Sequence, residues 1–259
     1  MKIYERLADI LSALDAVEGV ALSGSSTALI KDELSDYDIY VYCSSPIPRN
    51  IRKEIFATLG KAIIGTSPFE EGDMIIPEDD VPMDIMYRDM KWIEDQIEDV
   101  WEKCNPRLGY TTCFIFNVKN SRILFDRQGK LKELIQRCSS PYPEKLRENI
   151  ISHNLQMIDD SHLYNFRDQI HTAAKRGDMV SINHRIAAYL ASYFDILFAY
   201  SEELHPGEKK LLDYTKALGL TTHQDFESDI KCLLSEQNTQ SLPALIDKMT
   251  ADLKTMLES

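Results

Sequence analysis

Two aspartates, Asp36 and Asp38, stand two positions apart at the head of the run DYDIYVY, residues 36–42. In a strand, residues i and i+2 share a face, with Cα atoms roughly 6–7 Å apart. Asp36, Asp38, Tyr40 and Tyr42 then share one face, and Tyr37, Ile39 and Val41 the other. Two ionised carboxylates that close raise each other's pKa unless a cation sits between them. A hard divalent cation with oxygen ligands is the usual solution. Asp84 follows the same grammar in VPMDIMY, residues 81–87, between Met83 and Ile85. A charge inside an apolar strand is costly when buried without a partner. Three such acids on adjacent strands would form one metal-binding cluster. Two Mg²⁺ ions held there would neutralise charge on both the attacking and the leaving oxygen of a phosphoryl transfer.

Gly24 and Ser25 supply a second element of that chemistry. Glycine lets backbone N–H groups approach an anion closely. The Ser25 hydroxyl can join them, and a short helix over residues 26–30 would point its positive end at the same place. Strand, Gly-Ser turn, short helix and acidic strand together read as a triphosphate cradle beside its metals. Plainer readings exist for each residue. Asp36 and Asp38 could be solvated acids at a strand edge, Asp84 an exposed acid of an amphipathic sheet, and Ser25 a helix N-cap.

The whole pattern resembles the nucleotidyltransferase superfamily typified by DNA polymerase β and by antibiotic nucleotidyltransferases. Its signature is an apolar strand, Gly-Ser, about ten residues, and Asp-x-Asp in a second strand. Here ten residues separate Ser25 from Asp36. The superfamily's third carboxylate sits as apolar-acid-apolar in a later strand, matching Met83-Asp84-Ile85. The form Ser-Asp-x-Asp, residues 35–38, is similar to that of the small-molecule members. The stretch LHPGEKKLLDY, residues 204–214, resembles part of the helical domain of lincosamide and aminoglycoside nucleotidyltransferases and their uncharacterised relatives.

The resemblance implies a reaction. An acceptor hydroxyl attacks the α-phosphorus of a nucleoside triphosphate, ATP being the expected one, and pyrophosphate leaves. It implies that Asp36, Asp38 and Asp84 hold two Mg²⁺ ions, with Asp84 either a metal ligand or the base that takes the hydroxyl proton. Gly24 and Ser25 would hold the β- and γ-phosphates, and Lys209 would lie near the cleft. The acceptor implied is a small hydroxylated molecule, such as an aminoglycoside- or lincosamide-like antibiotic.

The elements needed to position these residues can be read along the chain. A helix is expected near the N-terminus, with Ile3, Leu7, Ile10, Leu11 and Leu14 at helical spacing. Strands follow at residues 20–23, 36–43, 61–65 and 81–87, with a helix at 49–59. Residues 67–82 read as an acidic loop. An amphipathic helix spans 90–104, and residues 123–138 read as strand, turn and helix. From Pro143 onward helical periodicity dominates, with a long apolar helix over 183–203 and a last helix over about 242–257. The expected fold is therefore α+β: a mixed sheet flanked by helices over residues 1–142, then a helical bundle over 143–259.

Bulk composition narrows the partners. The chain has 259 residues and a formal net charge of −13, with no long Lys/Arg run. Such a surface repels nucleic acid and suits neutral or cationic small molecules. Glu5, Asp9 and Asp15 interrupt the apolar run that a signal peptide requires, and no stretch approaches a membrane span. Five scattered cysteines without a C-x-x-C read as reduced thiols of a cytoplasmic protein. The six histidines show no metal-ligand spacing on one helix face. Tyr189, Tyr193, Phe194, Phe198 and Tyr200 suit either a helical core or a stacking surface, and Asp195 among them is a candidate general base.

Other functions fit part of the pattern. A glycosyltransferase also uses Asp-x-Asp to chelate a metal-bound nucleotide, but does not call for the Gly-Ser cradle. A regulatory or antitoxin-like module could keep the fold and bind nucleotide without turnover. A nucleotidyltransferase acting on protein or RNA would share every residue named above.

Overall fold

The computed structural model describes residues 2–24, 29–30, 36–78, 80–159, 164–235 and 240–259. These form two compact units. The first comprises Met1–Asp99 and Phe114–Pro141, the second Val100–Cys113 and Tyr142–Ser259.

The first unit is built on a six-stranded mixed sheet. Its strands are β1 (Val17–Ser23), β2 (Tyr37–Cys43), β3 (Lys61–Ile64), β4 (Gly72–Ile76), β5 (Met83–Asp89) and β6 (Arg122–Asp126), in the order β3-β4-β5-β2-β1-β6. All pairings are antiparallel except β2 with β5, which run parallel. One face of the sheet packs on helix α1 (Ile3–Ser12) and helix α2 (Arg49–Phe56). Leu7 and Leu11 of α1 and Phe56 at the end of α2 meet Val20, Leu22, Ile39, Val41 and Ile85 in that core. The alternation of β2 decides the rest: Ile39 and Val41 point into the core, so Asp38, Tyr40 and Tyr42 must point to the opposite face.

Helices α3 (Met90–Ile97), α4 (Cys113–Lys119) and α5 (Lys130–Cys138) complete the sequence of elements around the sheet. The Asp89 carboxylate caps α3 by accepting from Trp92 N at 2.8 Å. Beyond Ile97 the helix expected to continue to residue 104 widens into a π-helical turn, Glu98–Glu102.

The segment 67–82, expected as a loop, contains β4. Acids and a glycine disguise the strand, but Asp73 is buried in it, 1% exposed, along with Gly72 and Ile75. It is neutralised by Arg52 of α2, whose Nη1 donates to Asp73 Oδ2 at 2.8 Å. Tyr87 Oη donates to the same oxygen at 2.9 Å, and the Gly65 amide to Oδ1 at 2.9 Å. An acid that would break a strand in isolation becomes part of the core once its partner arrives from a helix.

The second unit is helical: α6 (Glu144–Ile158), α7 (Phe166–Arg176), α8 (Met179–Tyr200), α9 (Leu211–Leu218), α10 (Phe226–Ser235) and α11 (Leu242–Leu257). The long apolar α8 is its centre, with Tyr189, Tyr193, Phe194 and Phe198 all buried. Of the two readings open for these aromatics, the core reading holds. Tyr193 stacks on Phe226 of α10 with ring centroids 6.1 Å apart, and Tyr189 Oη is 3.0 Å from Thr250 Oγ1 of α11. The fold is thus α+β, a mixed sheet with flanking helices followed by a helical unit. No helix among the described residues is long and apolar enough to cross a membrane.

Candidate functional site

Register brings the acids together. In the parallel pair β2·β5, Asp38 lies directly opposite Asp84. In the antiparallel pair β1·β2, Ser23 lies opposite Asp38, and in β4·β5 Met74 lies opposite Asp84. Ser23, Asp38, Asp84 and Met74 therefore form one row across four strands, on the face away from α1 and α2. Neighbouring strands are about 4.8 Å apart, so the two carboxylates share one small region. Asp36 precedes β2 by one residue and is half-buried, as are Asp38, Asp84 and Gly24.

Gly24 follows β1 at the end of this row, with φ at +69°, in the left-handed region. A Cβ at this position would overlap the Asp38 carboxylate. Two independent constraints therefore exclude a side chain there: backbone conformation and the close approach of the turn to Asp38. Ser25 and the short helix expected over residues 26–30 lie outside the described residues, apart from residues 29 and 30, which form a bend.

Behind the acids the face closes. The next row is Ala21, Tyr40, Met86 and Gly72, and the one after it Gly19, Tyr42 and Arg88. Tyr40 and Tyr42 are buried, and burial raises both phenols, Tyr42 to about 12, against the opposing pull of Arg88. Both rings therefore stay neutral. The Arg88 guanidinium lies 4.0 Å from the centre of the Tyr40 ring. Arg88 Nη1 donates to Asn117 Oδ1 at 3.3 Å, and Asn117 Nδ2 donates to Ser23 Oγ at 3.0 Å. A polar chain thus runs from Arg88 through α4 to the buried Ser23, the residue opposite Asp38 and directly before Gly24.

Sequence reasoning missed this support. Arg88 was within reach of it, because positions 84, 86 and 88 alternate onto one face. Asn117 was not, because nothing local in FIFNVKN announces a contact with β1. Lys209 belongs to the second unit and is exposed in the turn before α9.

Asp195, a candidate base, is 1% exposed and fully engaged inside the second unit. Its Oδ1 accepts from the Thr111 amide at 2.9 Å, and its Oδ2 from Thr111 Oγ1 at 2.6 Å and Asn154 Nδ2 at 3.0 Å. Burial pushes its pKa up to about 6, with the three donors pulling the other way. It ties the segment 107–112 to α6 and α8, which is a structural task.

One histidine does join acids that sequence spacing concealed. His223 Nε2 is 2.7 Å from Asp229 Oδ2, and its Nδ1 is 3.3 Å from Asp252 Oδ2. Ligand atoms of these three residues lie within 4.8 Å of one another, but Lys248 also pairs with Asp229 and already supplies a positive charge there.

Residues 109–211 match a family model described as a domain of unknown function, DUF4037. That span is less than half of the chain and includes none of Gly24, Asp36, Asp38 or Asp84. No curated protein matches the chain. Among solved structures, a nucleotidyltransferase-like protein from Exiguobacterium sibiricum 255-15 is similar at 11% identity and a TM-score of 0.49, covering 99% of this chain and 73% of that one.

Proposed function

We propose that the chain is a Mg²⁺-dependent nucleotidyltransferase that moves a nucleoside monophosphate from a triphosphate, with ATP the first candidate, to the hydroxyl of a small molecule. The observation that carries this reading is the register of Asp38 against Asp84 beside a glycine turn that admits no side chain. Two like charges directly opposite on adjacent strands oppose folding. A shared cation removes that opposition, and carboxylate oxygens are the donor set Mg²⁺ prefers. Asp36, Asp38 and Asp84 would hold the ions. When bound, Mg²⁺ neutralises the phosphate oxygens and favours departure of pyrophosphate.

The chain's own groups do the rest. The turn at Gly24, held from behind by Ser23 and Asn117, brings backbone close to the carboxylates and so offers a site for phosphate oxygens. Asp84, the acid on the later strand, would either complete the metal site or accept the proton of the acceptor hydroxyl as the new bond to the α-phosphorus forms and the α–β bridging bond breaks. The buried Tyr40 and Tyr42 rings form an apolar floor that keeps water from behind the acids. The net charge of −13 favours a neutral or cationic acceptor over nucleic acid.

The test is product analysis. The protein is incubated with Mg²⁺, each of four α-labelled triphosphates and a panel of hydroxylated antibiotics and sugars. Pyrophosphate release with a mass gain of one nucleotide on the acceptor is expected. In a parallel incubation with nucleotide-sugars, release of nucleoside diphosphate with a glycosyl mass gain on the acceptor would establish a glycosyltransferase instead. Mg²⁺-dependent triphosphate binding without turnover against any acceptor, including protein and RNA, would favour a regulatory module.

A further inference from the structure

One cleft of the first unit lies apart from the acids. It lies at the carboxyl ends of β2 and β5, has a volume of about 560 Å³, and is lined by Cys43, Ile47, Arg49, Arg52, Glu71, Tyr87 and neighbours. Cys43 and Asp38 are five residues apart on β2, so the cleft is about 16 Å along the strand from the acid row. Ligands of open sheets collect outside the carboxyl ends of parallel strands, because those ends open toward the starts of the following helices. β2 and β5 are the parallel pair here, and α2 and α3 start at their carboxyl ends.

We propose that this cleft binds a small-molecule oxyanion, a phosphate monoester or a carboxylate, independently of the acid row. Arg49 and Arg52 line it, both paired with the Glu71 carboxylate, and Asp89 stands at its edge; Arg88 also borders it, but its guanidinium is turned over Tyr40 on the other face. The Asp89 carboxylate is committed to the N-terminus of α3. Arg52 is 1% exposed, and its buried Nε has no hydrogen-bond partner among the described residues. Its Nη1 and Nη2 already pair with Asp73 and Glu71, so Nε is the donor left for a further acceptor.

The start of α2 adds to this field. Its N-cap is Pro48, which contributes no side-chain cap, and its first turn holds no acid. The first-turn amides of a helix lack intrahelical acceptors, and an anion satisfies them. Arg49 is the adaptable member. Its side chain is 65% exposed and pairs with Glu71 at 2.9 Å. Such surface pairs contribute little and exchange partners readily. Arg52 cannot swing in this way, because Asp73 anchors it. Ile47, the Pro46 and Pro48 rings and the Tyr87 face provide an apolar wall for the carbon skeleton of the ligand. The volume suits a compact metabolite.

The experiment is an amide NMR titration of the full chain in EDTA with three probes: inorganic phosphate, glycerol 3-phosphate and succinate. Saturable shifts centred on the amides of Arg49, Asn50 and Ile51 are expected with at least one probe. The probe that binds most tightly distinguishes free phosphate, phosphate ester and carboxylate. Arg49→Ala, an exposed change that leaves the core alone, should weaken binding about tenfold, whereas Asp38→Asn should not alter it. No saturable shift with any probe overturns the proposal. So do shifts confined to Ser23 and Gly24, or binding that Arg49→Ala leaves intact. Absence of nucleotidyl transfer by the native protein, with anion binding here intact, would refute the reading of the acids alone.

Discussion

Asp38 on β2 stands directly across from Asp84 on β5 in the parallel ladder, with Ser23 of β1 on the other side of Asp38. Like charges directly opposite cost roughly 0.2–1 kcal/mol. In EDTA, Asp38→Asn and Asp84→Asn should therefore raise the melting temperature, by about 1–3 °C. Mg²⁺ should raise the melting temperature of the native protein and lose that effect in either variant, while transfer is abolished. Calorimetry with and without Mg²⁺ checks both. A lower melting temperature in EDTA together with a retained Mg²⁺ effect would refute the metal assignment.

Gly24 should tolerate no side chain. Gly24→Ala places a methyl group on the Asp38 carboxylate and requires a left-handed backbone from alanine. The backbone conformation alone costs about 1–2 kcal/mol. The turn or the carboxylate must shift, so triphosphate binding should weaken even where circular dichroism is unchanged. Calorimetric titration with a non-hydrolysable triphosphate measures this. Unaltered affinity would show that the turn does not face the ligand.

The grouping of acids in the candidate site is legible in the sequence because its signal is local. Strand alternation places Asp36 and Asp38 together within three residues, and an acid flanked by Met83 and Ile85 stands out in one glance at seven. The strands themselves follow the same logic, as does α11, whose periodicity matches its observed span, Leu242–Leu257. What was hidden depends on partners distant in the chain. β4 reads as a loop because its stabilising contact, Arg52 to Asp73, comes from α2, an element separated from it in sequence by β3. Asn117 supports Ser23 from 94 residues away. His223, Asp229 and Asp252 come from a loop and two helices and have no periodic relationship. Asp195 looks like a reactive acid in an aromatic helix until Thr111 and Asn154 are seen to surround it.

The Arg52–Asp73 pair gives a prediction about stability alone. Both side chains are almost fully buried, at 2% and 0% exposure. Removing one partner leaves the other charge stranded. Arg52→Met should cost about 3–5 kcal/mol, measured by urea denaturation. Arg52→Met combined with Asp73→Asn should recover more than half of that loss. The carboxamide introduced by Asp73→Asn keeps an oxygen for the Gly65 amide and turns its nitrogen toward the Tyr87 hydroxyl. Additive losses in the double variant would show that the ion pair is not what holds β4 to α2.

The buried Asp195 predicts a pH dependence of unusual sign. Its folded pKa is raised to about 6, chiefly by burial, from an ordinary 3.8. Between about pH 4 and pH 6 the folded chain keeps this proton while the unfolded chain has released it. The folded state then binds more protons, so stability falls as pH rises through this window and is level above it. A pKa difference of about 2 between the folded and unfolded chain corresponds to about 3 kcal/mol. Asp195→Asn cannot titrate. The stability difference between the native protein and this variant should therefore move against the native protein by about 2–3 kcal/mol from pH 4 to pH 6, as measured by urea denaturation at each pH. Taking the difference cancels the surface groups that titrate alike in both proteins. A constant difference across the window would mean that the donors from Thr111 and Asn154 outweigh burial, and that Asp195 is ionised in the folded chain throughout.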